Sequence, residues 1–126
     1  MKSYEVFKDN IFLEKAESIL EQIPPYPIYT NFSLNNGASA IGQVYLEAKK
    51  FLNHPTWEQR ADWIMNLFYH CFQDFNQSQG YWQMEPDNIV TADLYVGMSG
   101  IIHYLMRYLY PSEINHLLWP SSRHLE

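Results

Sequence analysis

The chain has 126 residues, enough for one domain or a piece of a larger one, and 47% of them are hydrophobic, which excludes a disordered polypeptide. Eight Lys and Arg, scattered along the chain, face 14 Asp and Glu, for a formal net charge of −6; this argues against nucleic acid and membrane surfaces as partners. Cys71 is the single cysteine, no apolar run approaches the roughly 18 residues of a membrane span, and the first residues lack a signal-peptide stretch, so a cytoplasmic protein is expected.

The spacing predicts a first helix over residues 9–23, starting at Asp9 or Asn10 and presenting Phe12, Ala16, Ile19, Leu20 and Ile23 on one face. Pro24-Pro25-Tyr26-Pro27 stops it, because proline lacks an N–H and restrains the residue before it. A second helix carries Ile41, Val44, Tyr45, Ala48 and Leu52 and ends before Asn53-His54-Pro55. A third begins with a Thr56–Gln59 capping box and holds its period through Ala61, Ile64, Met65, Phe68, Cys71, Phe72 and Phe75. The polar run from Asn76 to Gly80 follows, then a long loop from Tyr81 to Thr91. A fourth helix runs through Ile101, Ile102, Leu105, Met106 and Leu109 to Pro111, and Leu117-Leu118-Trp119-Pro120 reads as a tail that packs down on the body. No stretch alternates as a strand should, so the expected fold class is all-α and the whole chain, 1–126, is read as one domain.

One motif occurs twice, roughly 60 residues apart, each time ahead of an apolar helix. Ser33-Leu34-Asn35-Asn36-Gly37-Ala38-Ser39-Ala40-Ile41 returns as Asp93-Leu94-Tyr95-Val96-Gly97-Met98-Ser99-Gly100-Ile101. Ser33 and Asp93 can cap backbone N–H groups. Gly37 and Gly97 allow unusual dihedrals or close backbone approach, and Gly100 lets a neighbouring helix come near. A repeat of this length fits one helical hairpin, and such hairpins stack because one alone cannot bury its apolar faces.

The paired motifs resemble the lanthionine synthetase C-like family. Gly37-Ala38-Ser39-Ala40 and Gly97-Met98-Ser99-Gly100 look like the Gly-x-x-Gly starts of its inner helices, and the resemblance spans roughly residues 31–120. It implies an incomplete ring of α/α-toroid hairpins, matching the last third of a full-length member, with residues 9–22 as the outer helix of the preceding hairpin. In the family's cyclases, zinc bound by two Cys and one His activates a peptide cysteine, which adds to a dehydrated Ser or Thr. One Cys and the His belong to a Cys-His-Gly triplet. The matching triplet here is Asn35-Asn36-Gly37, which keeps the glycine and lacks both ligands.

The resemblance therefore implies a truncated or degenerate member with no catalytic residues and no metal or other cofactor of its own. Its role would be to bind, scaffold or assist in peptide modification, with a peptide substrate or a modification enzyme as partner. Two alternatives stand beside it. The chain can be the C-terminal segment of a cyclase, gaining zinc when another chain completes it, or a helical self-association module; an incomplete ring predicts a homo-oligomer either way. Asn35, Asn36, Tyr95 and His103 form the candidate pocket, because they lie at or just after the inner-helix entries. His103 is also read as a hydrogen-bonded core histidine, Cys71 as a buried structural thiol and His54 as a structural turn residue. Glu58 and Asp62 share a helix face that is usually solvated. The aromatics Tyr26, Tyr29, Phe32, Tyr81, Trp82, Tyr95 and Tyr104 are candidates for a peptide groove or a core.

Overall fold

The computed structural model describes residues 1–76, 79–84 and 90–117. Its elements run α1 (Lys2–Phe7), α2 (Ile11–Glu21), α3 (Ala38–Leu52), α4 (Pro55–His70), β1 (Gln73–Asn76), β2 (Gln79–Tyr81) and α5 (Met98–Leu109). The protein is mostly helical. Helix α3 is central, packing on α4 and α5 and touching α2.

The α3–α4 hairpin turns in very few residues. Asn53 ends α3 in the left-handed region, at φ 45°, a conformation asparagine tolerates better than most. His54 is the N-cap of α4, its Nδ1 accepting the Thr56 N–H at 3.3 Å, and Pro55 takes the first helical position, where a missing N–H does no harm. The expected Thr56–Gln59 box is therefore displaced two residues upstream, while the structural reading of His54 holds.

The core joins Leu20 of α2, Phe32 of the connector, Tyr45 and Ala48 of α3, Trp57, Ala61, Ile64 and Phe68 of α4, Met84, and Ile101 and Tyr104 of α5. Phe68 is a hub, with ring centroids of Phe32, Tyr104 and Trp82 at 4.9, 5.1 and 5.6 Å. Indole N–H groups fasten segments to this core. Trp63 donates to the Pro27 carbonyl at 2.9 Å and pins the proline-rich connector, and Trp82 donates to the Phe68 carbonyl at 2.6 Å. Arg60 closes the C-terminus of α2, donating to the Leu20 and Ile23 carbonyls at 3.0 and 3.1 Å, so a cation meets the negative end of a helix. Of the candidate groove aromatics, Phe32 and Tyr104 are core, and Tyr26 stacks edge-on against Trp63.

Several sequence expectations change. The mostly helical chain is consistent with the all-α class, but no strand was expected, and an antiparallel β-hairpin of two short strands is present, with Gln73 opposite Tyr81 and Asp74 opposite Gly80. Helix α4 accordingly ends at His70, so Phe72 is exposed and Phe75 lies in β1. The apolar period outran the helix because Phe72 and Phe75 keep helical spacing in the sequence, and a four-residue strand with one aromatic shows no alternation to contradict it. Helix α1 was not foreseen, and the helix expected over 9–23 runs Ile11–Glu21 with Ile19 turned outward, 63% exposed. Cys71 caps α4 and is half-buried against the core rather than fully enclosed. The tail expectation bears on Leu117 alone, since Leu118, Trp119 and Pro120 lie outside the described residues. Among the described residues no helix is long and apolar enough to cross a membrane.

Candidate functional site

The two motif copies fold alike. In the first, the Asn31 carbonyl accepts the Ala38 N–H at 2.9 Å and the Phe32 carbonyl accepts the Ser39 hydroxyl at 2.6 Å. In the second, the Thr91 carbonyl accepts the Met98 N–H at 2.9 Å and the Ala92 carbonyl accepts the Ser99 hydroxyl. Gly37 and Gly97 are the helix N-caps, with φ of −113° and −117°, a region open to any residue. Their need for glycine is therefore steric. A Cβ on Gly37 would sit 2.6 Å from the Ser33 nitrogen, and one on Gly97 would sit 2.6 Å from backbone atoms of Asp93 and Thr91. Asp93 caps as expected, its Oδ1 accepting from the Tyr95 and Val96 N–H groups at 2.8 and 3.0 Å. In the first copy Asn31 does this work, its Oδ1 accepting the Ser33 N–H at 2.8 Å.

The copies also touch each other. The Asn35 N–H donates to the Tyr95 carbonyl at 2.8 Å, and a Cβ on Gly100 would meet the Leu94 carbonyl oxygen and lie 2.8 Å from Leu34 Cβ. Further along, Gly42 receives the ring of Tyr104, so α3 and α5 approach closely.

Behind the motifs, a polar chain crosses the α3–α5 interface. Arg107 donates to Glu47 and to Gln43 Oε1, and the Arg107–Glu47 ion pair is buried. Gln43 Nε2 lies 3.1 Å from His103 Nδ1, and His103 Nε2 lies 3.1 Å from the Asn115 carbonyl oxygen. Arginine has only donors, so Gln43 must turn its oxygen to Arg107 and its nitrogen to His103. His103 Nδ1 is then the acceptor, and the proton sits on Nε2 and is donated to Asn115. Burial first, then the nearby Arg107 charge, hold His103 below the usual histidine range, while its bond to Asn115 acts the other way. Both ring nitrogens are thus engaged, in keeping with the reading of His103 as a hydrogen-bonded histidine.

The four candidate pocket residues do not converge. Asn35 and Asn36 are exposed on the motif loop. Tyr95 lines a small cavity of about 160 Å³ with Leu34, Ala40, Gln43, Val44, His116 and Leu117. His103 does not line that cavity; it is bonded to Gln43, which does, and to Asn115, next to the lining residue His116. A larger cavity, about 450 Å³, lies at the other end of α3, between Leu46, Lys49, Lys50, Glu58, Asp62, Arg107 and Tyr108. The Glu58–Asp62 face is exposed yet occupied: Glu58 accepts from Lys49 at 2.6 Å and Asp62 accepts from Tyr108 at 2.7 Å. Burial, then the hydrogen bond to Asp62, push the Tyr108 phenol up to about 12.

Sequence reasoning missed Gln43, Glu47 and Arg107. A signal was there: Gln43 and Glu47 occupy the same places in the first copy that His103 and Arg107 occupy in the second. A carboxylate and a guanidinium at matching places of adjacent repeats face each other across the shared interface.

Fold and site together define a mostly helical protein in which α3 and α5 start from matching glycine loops. The model of the lanthionine synthetase C-like protein family matches residues 1–122, and the chain belongs to that family. The match reaches past the 31–120 stretch that carried the resemblance, to include α1 and α2. No curated protein matches, and no solved structure does.

The zinc that the resemblance implies can be tested against the donors present. At the triplet position stand two exposed asparagine amides, weak ligands for zinc beside thiolate and imidazole. Among the described residues no three His, Cys, Asp or Glu side chains gather to hold a metal. These residues do not fit the family's metal centre.

Proposed function

We propose that this chain is a degenerate lanthionine synthetase C-like protein that binds a peptide in an accessory or scaffolding role, beside a separate modification enzyme. One observation carries this reading. The loop that would present Cys-His-Gly keeps its glycine and shares its backbone bonds and helix entry with the second copy, while Asn35 and Asn36 stand in the places of both metal ligands. The loop displays residues at the helix entry without the donors that would hold a thiol-activating zinc. The cavity beside Tyr95 is side-chain sized and largely apolar, which suits an apolar residue of the peptide.

A second reading is that the chain forms one arc of an α/α toroid and gains zinc chemistry when further repeats complete it. The outer flank of α5 favours it. Ile102 takes the place in the second copy that Gly42 takes in the first, where the next inner helix packs; yet Ile102 is 48% exposed, and Met106 and Leu109 beside it are exposed too. A further repeat or a second chain would cover this flank.

Native mass spectrometry of protein purified without chelator separates the two. The test peptide carries one cysteine and one dehydroalanine, and free thiol is counted by alkylation. The accessory reading expects a zinc-free protein that binds the peptide and leaves its thiol free. Stoichiometric zinc, above all in an oligomer that consumes the thiol, would overturn it and establish the completed-cyclase reading.

A further inference from the structure

We propose that the segment Ile114–Leu117 is a strap across the cavity beside Tyr95, and that His103 is its proton-sensitive latch. This rests on the reading of that cavity as the peptide-binding pocket. His116 and Leu117 of the strap form one wall of the cavity, and Leu34, Val44 and Tyr95 form the others. The latch is the His103 Nε2–H bond to the Asn115 carbonyl at 3.1 Å.

The latch admits only one protonation pattern. Arg107 fixes the orientation of Gln43, and Gln43 fixes His103 as the neutral ring with its proton on Nε2. A second proton, on Nδ1, would face the Gln43 amide N–H₂, donor against donor. It would also add a positive charge beside Arg107. The groups around the ring are Gln43 and Glu47 from α3, Arg107 from its own helix, and Asn115 and His116 from the strap. Glu47 is the one anion among them, and it is already paired with Arg107. Gln43 cannot turn over to accommodate the proton, because its N–H₂ would then face the guanidinium. The conflict is relieved when the ring swings away, and the ring holds Asn115.

The direction with pH follows. Closed strap and neutral His103 go together, so closure is complete above the ordinary histidine range and weakens as pH falls through about 6.5. If the freed ring titrates at its ordinary value and the closed ring takes no second proton, strap opening grows by up to about tenfold between about pH 7.5 and pH 5.5.

Amide hydrogen exchange of the full chain tests this, with rates corrected for intrinsic pH dependence and the strap compared with residues 42–48 of α3. The expected result is a loss of strap protection of up to about tenfold over that pH interval, with α3 unchanged. The His103→Gln variant, whose amide can still donate to Asn115 but does not titrate, should stay closed and lose most of the pH response, the remainder belonging to His116, which burial also holds below the usual histidine range. The His103→Ala variant should lose strap protection at both pH values. Strap exchange that ignores pH, or an undiminished pH response in His103→Gln, would overturn the latch. Benzene, read by the methyl resonances of Leu34 and Val44, tests the pocket separately. Benzene that never shifts those methyls overturns the pocket reading, while the exchange result still decides the latch.

Discussion

The two copies of the motif share backbone geometry and differ in surroundings. In the first, Asn31, Phe32, Ser33 and Ser39 are buried, with the post-hairpin segment bonded to Phe32 through the Gln83 carbonyl at 2.9 Å. In the second, Thr91, Ala92, Asp93 and Ser99 are exposed. The loop-to-helix turn is thus a local solution, set by glycine, a short acceptor side chain and a serine. What the turn is worth depends on its neighbours, because a buried polar group without a partner costs far more than a solvated one.

The largest effect should come from the interface between the copies. Arg107→Leu would leave Glu47 buried and uncompensated, for a loss of about 3–5 kcal/mol in urea unfolding. The double variant Glu47→Leu/Arg107→Leu should recover much of it, since an apolar pair needs no desolvation. Failure of the double variant to recover would show that the ion pair holds more than itself.

The glycines sharpen the comparison directly. Both Gly37→Ala and Gly97→Ala place a Cβ against backbone, but the residues it meets are buried in the first loop and solvent-exposed in the second, where the backbone can give way. Gly37→Ala should cost about 3 kcal/mol and Gly97→Ala about 1 kcal/mol by the same measurement. Equal losses would mean that the second loop is as tightly held as the first.

The serines give a smaller version of the same contrast. Ser39→Ala would strip a buried carbonyl, that of Phe32, of its hydroxyl partner, for about 1–2 kcal/mol. At Ser99 water can replace the hydroxyl, and the loss should stay within about 0.5 kcal/mol.

The smallest effect lies at the far end of the interface. Asp62→Asn should bring the Tyr108 phenol down from about 12 in an ultraviolet titration, though not fully to its ordinary value, because burial is the larger cause. Since folding raises this pKa, the associated stability is complete below about pH 10 and is lost as pH rises toward 12. The variant should narrow that window.

How far each feature was legible follows from the range of the forces involved. Helices α2 to α5 were readable because their apolar periods and their stops, Pro24, Asn53 and Pro111, are written in adjacent residues. The β-hairpin was not readable, since four residues of strand carry no period that excludes a helical end. The candidate pocket residues were chosen by their place at the helix entries, and the packing separates them. Tyr95 does line a cavity, but the matching position in the first copy, Asn35, spends its N–H on the Tyr95 carbonyl and leaves its side chain outside.

The sequence by itself determined the repeat, the helical character, the family, and the absence of the Cys-His pair at Asn35-Asn36, because each is a matter of residue identity and local spacing. Only the tertiary structure decided that Glu47, Arg107, Gln43 and His103 form one chain of hydrogen bonds, that this chain ends on Asn115, and that the residues leading into the first copy and its serine are buried while their counterparts in the second face solvent. Those facts depend on which helix lies beside which, and the burial that gives a hydrogen bond or a charge its energy is a property of that packing.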